Sequence, residues 1–269
     1  MNDPSRTGGT PAAPRLAIVT GATSGIGLAI SRRLAARGMR VILVGRDAGR
    51  LEAARRAVGD AASAVPLDVA DPGAVAAFCD RVRREYARVD LLVCNAGIPG
   101  RRTAPRTDPA LARRVMGVNF HGTADVTVGL WPALVAAGGT VVNIVSVAGT
   151  VATAYDAPYT ASKHAALAWS RALTASGAAE GVRVLTVNPG PVVTPGFPQT
   201  ELVGRRLARR AVIDVDRCAD EVMDALGRGR AEVFVPRWWR AAALTQALAP
   251  GLTRRLARWA WPRGRRGPA

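Results

Sequence analysis

Lysine is almost absent from this chain. Of its 37 basic residues, 36 are arginine and one, Lys163, is lysine. Cysteine is also scarce: Cys79, Cys94 and Cys218 are odd in number, widely spaced and in no CxxC pair. That excludes a disulfide framework and a cysteine zinc site, and it fits a reducing compartment, so a cytoplasmic location is expected. Histidine is limited to His121 and His164, too few for a His-rich metal centre, and no metal is expected. No uncharged apolar run reaches the roughly 18 residues of a membrane-spanning helix. The longest C-terminal candidate, Ala241 to Thr253, is short and contains Pro250-Gly251. Residues 1–14 are rich in Pro, Gly, Thr and Ala without an apolar core, which implies a flexible leader and not a signal peptide.

What is present describes a globular protein. At 269 residues and 49% hydrophobic content the chain can bury a full core, and one α/β domain is the economical expectation. The net charge is +17 and unevenly spread. From Arg237 to the end there are eight arginines and no acid, and four of the six tryptophans (Trp238, Trp239, Trp259, Trp261) lie in the same stretch. A basic segment interleaved with tryptophan calls for a partner.

Apolar runs alternate with helical patterns along the chain. Strands are expected at 15–20, 41–44, 64–67, 90–94, 139–145, 182–187 and 232–235. Helices are expected from the Gly21–Gly27 turn to near Gly38, then at 48–58, 72–86, 110–137, 157–176 and 216–226. Pro132 should kink or break the long helix. Apolar strands alternating with helices predict a parallel sheet covered on both faces, a single doubly wound Rossmann domain, with ligands at the carboxyl ends of its strands. Its expected span is 15–236, with residues 237–269 as a basic extension.

Two local patterns carry chemistry. Tyr159 and Lys163 are four residues apart on an expected helix and share a face. A compact ammonium beside a phenol favours phenolate and would lower the tyrosine pKa towards working pH, a service a broad guanidinium performs poorly. The turn Thr20-Gly21-Ala22-Thr23-Ser24-Gly25-Ile26-Gly27 lies between the first strand and the first helix. Glycines there let backbone N–H groups approach a pyrophosphate, although the GxxxGxG spacing departs from the general GxGxxG fingerprint.

These two patterns join Cys94-Asn95-Ala96-Gly97, Asn119, Ser146 and Asn188-Pro189-Gly190 in an order and spacing that resembles the short-chain dehydrogenase/reductase superfamily, over residues 15–235. The resemblance implies a seven-stranded Rossmann sheet and reversible hydride transfer between a nicotinamide and a carbonyl or alcohol. It implies Tyr159 as general acid/base, Lys163 as ribose ligand and modulator of the tyrosine, and Ser146 as hydrogen-bond donor to the carbonyl. Asn119 would hold a water in a proton relay. Gly21, Thr23, Ser24, Gly25, Ile26 and Gly27 would line the cofactor. Asp68 and Val69 would contact adenine, Asn95, Ala96 and Gly97 the adenosine ribose side, and Val192 and Thr194 the carboxamide. Cys94 stands where the family pattern commonly has asparagine. A homodimer or homotetramer through the helices of Asn119 and Tyr159 is expected on the same ground.

Cofactor choice rests on the end of the second strand. Gly45-Arg46 offers a guanidinium for a 2′-phosphate and no acid for a ribose 2′-hydroxyl, so NADP(H) is expected over NAD(H). His164 points about 100° away from Lys163 on the helix and is expected to pack. Tyr155 is a candidate pocket residue or a structural one. Residues 195–213, a variable substrate lid in the family, mix Leu202, Val203 and Leu207 with Arg205, Arg206, Arg209 and Arg210, which suits a lipophilic or acyl substrate with an anionic end or a solvated helix. In the tail, Leu252, Leu256 and Trp259 fall on one helical face with Arg254, Arg255 and Arg258 elsewhere. That pattern fits an anionic membrane surface, at the inner face of the membrane, or packing on its own domain or on a second subunit. Dispersed arginines without a nucleic-acid-binding motif argue against specific nucleic-acid binding. A non-catalytic scaffold is disfavoured by the complete Asn119, Ser146, Tyr159 and Lys163 set. A sugar-nucleotide epimerase is disfavoured by the first-turn spacing.

Overall fold

The computed structural model describes residues 15–100, 108–152, 156–196, 212–253 and 255. Seven strands form one sheet: Leu16–Thr20 (β1), Arg40–Gly45 (β2), Ala62–Pro66 (β3), Leu91–Cys94 (β4), Thr140–Ile144 (β5), Arg183–Pro189 (β6) and Glu232–Val235 (β7). Their order is β3-β2-β1-β4-β5-β6-β7 and every neighbouring pair is parallel, the doubly wound arrangement expected from the alternation of elements. Strands this apolar are buried on both faces, and the pleat divides them. Leu16 and Ile18 turn to one layer with Phe78 and Leu130, whereas Ala17 and Val19 turn to the other with Ile30 and Leu34.

The covering helices are Gly25–Ala36 (α1), Ala48–Val58 (α2), Pro72–Glu85 (α3), Pro109–Met116 (α4), Gly122–Ala137 (α5), Ala157–Ala179 (α6), Val215–Gly227 (α7) and Trp239–Leu248 (α8). Five of them start on an aspartate whose carboxylate accepts a first-turn N–H: Asp47, Asp71, Asp108, Asp156 and Asp214. Such caps satisfy donors that the helix itself cannot. At α1 the cap position is Ser24, whose side chain makes no such bond.

The long helix near 110–137 differs from expectation. It continues through Pro132, and its irregularity falls instead at Gly117–His121, a π-helical turn joining α4 to α5. Pro132 lies on the exposed side, where the carbonyl it leaves without an intrahelical donor can face water. β3 begins two residues earlier than expected because its pairing with β2 runs from Val41↔Ala62 to Gly45↔Pro66. β6 reaches Pro189 because β7 pairs with it that far. A helix forms at Trp239–Leu248, and the segment expected to be helical from Leu252 is helical where it is described, at 250–253 and 255. Leu256, Trp259, the 1–14 leader, Tyr155 and most of the 195–213 lid lie outside the described residues. Among those described, no helix is long and apolar enough to cross a membrane.

The sheet's centre should dominate stability. Leu92 in β4 is fully enclosed, whereas Leu248 on α8 is 83% exposed. Leu92→Ala should cost about 3 kcal/mol in urea denaturation, and Leu248→Ala less than about 0.5 kcal/mol.

Candidate functional site

Because all strands run in one direction, the turns that follow them open at one edge. The order reverses between β1 and β4, and the expected residues gather around that crevice. The Thr20 hydroxyl accepts from the backbone N–H groups of Asn95 (3.0 Å) and Ala96 (3.1 Å). The Asn95 amide donates back to the carbonyls of Thr20 (3.1 Å) and Gly21 (3.0 Å). These bonds lock the β4 loop against the glycine-rich turn.

That turn has no room for side chains. Gly21 and Gly25 have φ of 64° and 56°, and a Cβ on Gly21 would lie 2.8 Å from Ala96 Cα. A Cβ on Gly25 would lie 3.0 Å from the Thr194 methyl, so the segment after β6 closes over the turn. Ser24 is free of capping duty, and no acid occupies the first turn of α1. A bare helix N-terminus behind a glycine cradle suits an anion, and these residues fit a dinucleotide pyrophosphate. Ile26 packs partly into the core, and Thr23 covers Gly45 at the end of β2.

Beyond β2 and β3, Arg46 lies 3.8 Å from Asp68, both partly exposed. The other Asp68 oxygen accepts from Ala70 N–H at 3.0 Å, and Val69 is buried in the core. Arg50 donates to the Ser24 hydroxyl at 3.3 Å. Arg50 was not among the expected residues, although its position four after Arg46 was readable. Asp47 between them is committed to its cap, accepting from Arg50 N–H at 2.8 Å.

The other half of the site lies past β5. Ser146 follows the strand, and its hydroxyl accepts from Ala148 N–H at 3.1 Å and donates to Pro189 carbonyl at 3.5 Å, on the side of Tyr159. The Lys163 ammonium lies 5.8 Å from the Tyr159 ring centre and donates to Ile144 carbonyl at 3.0 Å. Gly97 borders both Asn119 and Lys163: a Cβ there would be 3.4 Å from the Asn119 side-chain oxygen and 3.7 Å from the ammonium. Asn119 sits in the π-turn, buried, with its oxygen accepting from Ile98 N–H (2.8 Å) and its amide donating to Ile98 carbonyl (3.0 Å) and the Ser162 hydroxyl (2.9 Å). Val192 is buried and bridges to Ile213. Two further residues escaped the sequence reading. Asp156 caps α6 at Tyr159 N–H (3.1 Å) and accepts from Gly100 N–H (2.7 Å). Trp239 covers Gly190 so closely that a Cβ there would overlap its indole nitrogen. The first had a signal in its cap spacing; the second had none.

A family model described as short chain dehydrogenase matches residues 15–201. The chain belongs to the short-chain dehydrogenase/reductase family. A bovine protein, dehydrogenase/reductase SDR family member 7B, is 33% identical over 89% of this chain and 79% of its own. The cis-4-hydroxycyclohexanecarboxylate dehydrogenase of Sinomonas cyclohexanicum is 39% identical over 80% of this chain and 88% of its own. A solved short chain dehydrogenase from Burkholderia cenocepacia, in complex with NADP, superposes with a TM-score of 0.77 at 29% identity, covering 93% of this chain and 98% of that one.

Within this family site the electrostatics differ from one expectation. Lys163 does not lower the Tyr159 pKa here. Burial pushes the phenol up to about 12, against a lowering from the Ser146 hydrogen bond, and nearby Asp156 adds to the rise. Burial alone pulls Lys163 down to about 8. Desolvation acts against both charged forms. His164 is exposed, its ring 2.9 Å from Thr160 carbonyl, and does not pack as expected.

The lysine shift makes a stability prediction. Between about pH 8 and 10.5 folded Lys163 binds fewer protons than the unfolded chain, so its penalty on folding shrinks as pH rises. Lys163→Met, which lacks the penalty, should lose about 2 kcal/mol of its stability relative to wild type between pH 8 and pH 10, read by urea denaturation. A gap that widens with pH would contradict the assignment.

Proposed function

We propose that the protein is an NADP(H)-preferring oxidoreductase that transfers hydride between the nicotinamide and a lipophilic carbonyl or alcohol. The gathering of Ser146, Tyr159 and buried Lys163 past β5, with the ammonium 5.8 Å from the Tyr159 ring centre, carries this reading. Hydroxyl donors on Tyr159 and Ser146 suit a carbonyl oxygen on which negative charge develops. The cofactor supplies the hydride to the carbonyl carbon. Tyr159 gives its proton to the oxygen, and Ser146 holds that oxygen by a hydrogen bond. Burial holds the Tyr159 phenol in its protonated form, so it carries the proton that reduction of a carbonyl needs. Lys163 is assigned to the ribose hydroxyls. Asn119 is assigned to the proton path, supported by its place beside Gly97 and Lys163.

Gly21, Thr23, Ser24, Gly25, Ile26 and Gly27 are assigned to the pyrophosphate side, and Asp68, Val69, Asn95, Ala96 and Gly97 to adenosine. Val192 and Thr194 are assigned to the carboxamide, Val192 through its backbone since its side chain is in the core. For the 2′-phosphate the reading names Arg46 and adds Arg50, two guanidiniums flanking the end of β2. Similarity to a solved NADP complex supports the same choice. A carbonyl on a carbocyclic or acyl framework is supported by similarity to the Sinomonas enzyme. A homodimer or tetramer through α5 and α6 is part of the reading, supported by exposed Val128 and Val135 on α5.

NADPH oxidation against ketones, aldehydes and 3-oxoacyl thioesters tests the proposal. Tyr159→Phe should reduce turnover by at least about 100-fold. Wild-type inactivity across the panel, or a fully active mutant, would overturn it. Arg46→Ala and Arg50→Ala should each raise KM for NADPH by roughly tenfold and leave KM for NADH nearly unchanged, since a charge-assisted bond to phosphate contributes about 1.5–3 kcal/mol. Equal losses with both cofactors would count against the 2′-phosphate site.

A further inference from the structure

The apolar surface that this fold leaves open is concentrated at one end. Among the described residues the exposed large apolar side chains are Val128, Val135, Val193, Trp238, Leu244, Leu248 and Leu252. Four of the seven fall between Trp238 and Leu252, with Leu248 83% exposed and the other three near half. Leu244 and Leu248 are four apart in α8 and share a face, and the helix buries none of its residues. Its start is anchored all the same. Trp239 lies over Gly190, and Trp238 stacks on Trp239 with ring centres 4.4 Å apart. α8 is therefore held against the turn after β6 while its leucines face outward.

Charge identifies what can cover that face. The chain from Arg237 onward carries eight arginines and no acid, and Arg237, Arg240 and Arg255 are exposed. A nucleic acid would use the arginines and leave the leucines in water. A second copy would cover the leucines but bring eight like charges against eight. An anionic bilayer satisfies both features, because leucine and tryptophan enter the acyl boundary while guanidiniums meet lipid phosphates.

We infer that the C-terminal helix is a docking element for anionic membrane surfaces, and that it holds the Gly190 turn, with the candidate active site behind it, close to the lipid. The inference stands on the exposed leucines and the charge, independently of the hydride-transfer reading.

Co-sedimentation of the full chain with vesicles tests it, using phosphatidylglycerol/phosphatidylcholine against pure phosphatidylcholine at low and high salt. Wild type should bind the anionic vesicles at least tenfold more tightly than the neutral ones, and salt should weaken binding. Leu244→Gln/Leu248→Gln alters only exposed side chains, so Tm should be unchanged while vesicle affinity falls at least tenfold. Three outcomes would overturn the proposal: wild type remaining in the supernatant, the double variant pelleting like wild type, or a leucine-dependent dimer on gel filtration without vesicle binding. Loss of vesicle binding to competing RNA, unaffected by the double substitution, would overturn it in favour of a nucleic-acid partner.

Discussion

The hydrogen bonds between Thr20 and the Asn95-Ala96 backbone, returned by the Asn95 amide to Thr20 and Gly21, hold the two halves of this protein together where strand order reverses. β1 and β4 are neighbours, but their following turns diverge to opposite sides of the sheet. Without a polar clamp the crevice between them would be two loose loops. With it, the glycine-rich turn has a fixed wall, and the wall continues through Gly97 to Asn119 and Lys163. Side chains carried by separate elements thereby share one frame.

The same economy governs the second half of the site. α6 is docked by Ser170, whose hydroxyl bonds Asn143 of β5 at 2.9 Å and Thr186 of β6 at 2.6 Å. Its first turn is fixed by Asp156, which also grips Gly100. Tyr159 and Lys163 are one turn apart between these supports, so their positions relative to Ser146 are set by the whole helix. Burial that fixes them also alters them: the phenol holds its proton more strongly and the ammonium less. Removing water from a titratable side chain raises the cost of its charged form, whichever sign that charge has.

α8 stands apart from this logic. It is the one described helix with no buried residue, yet its entry is pinned by Trp239 over Gly190. An element that contributes little to the core and is still held beside the site is better explained by what it meets outside the fold than by packing within it.

Much of this was written in the sequence. Apolar runs alternating with helical patterns determine a parallel, doubly wound sheet, because such strands can be buried only with helices on both faces. The spacing of Gly21, Gly25 and Gly27, and the four-residue step from Tyr159 to Lys163, determine a tight glycine-rich turn into the first helix and a paired side-chain face. Tertiary structure alone decided the rest. It put Asn119 in a π-turn bonded to Ile98, set Arg50 against Ser24, carried the helix through Pro132, and laid Trp239 on Gly190. It also reversed the expected shift at Tyr159. Periodicity and spacing report which residues share a face, whereas pKa and partner choice depend on what the remainder of the chain brings against that face and how much water it removes.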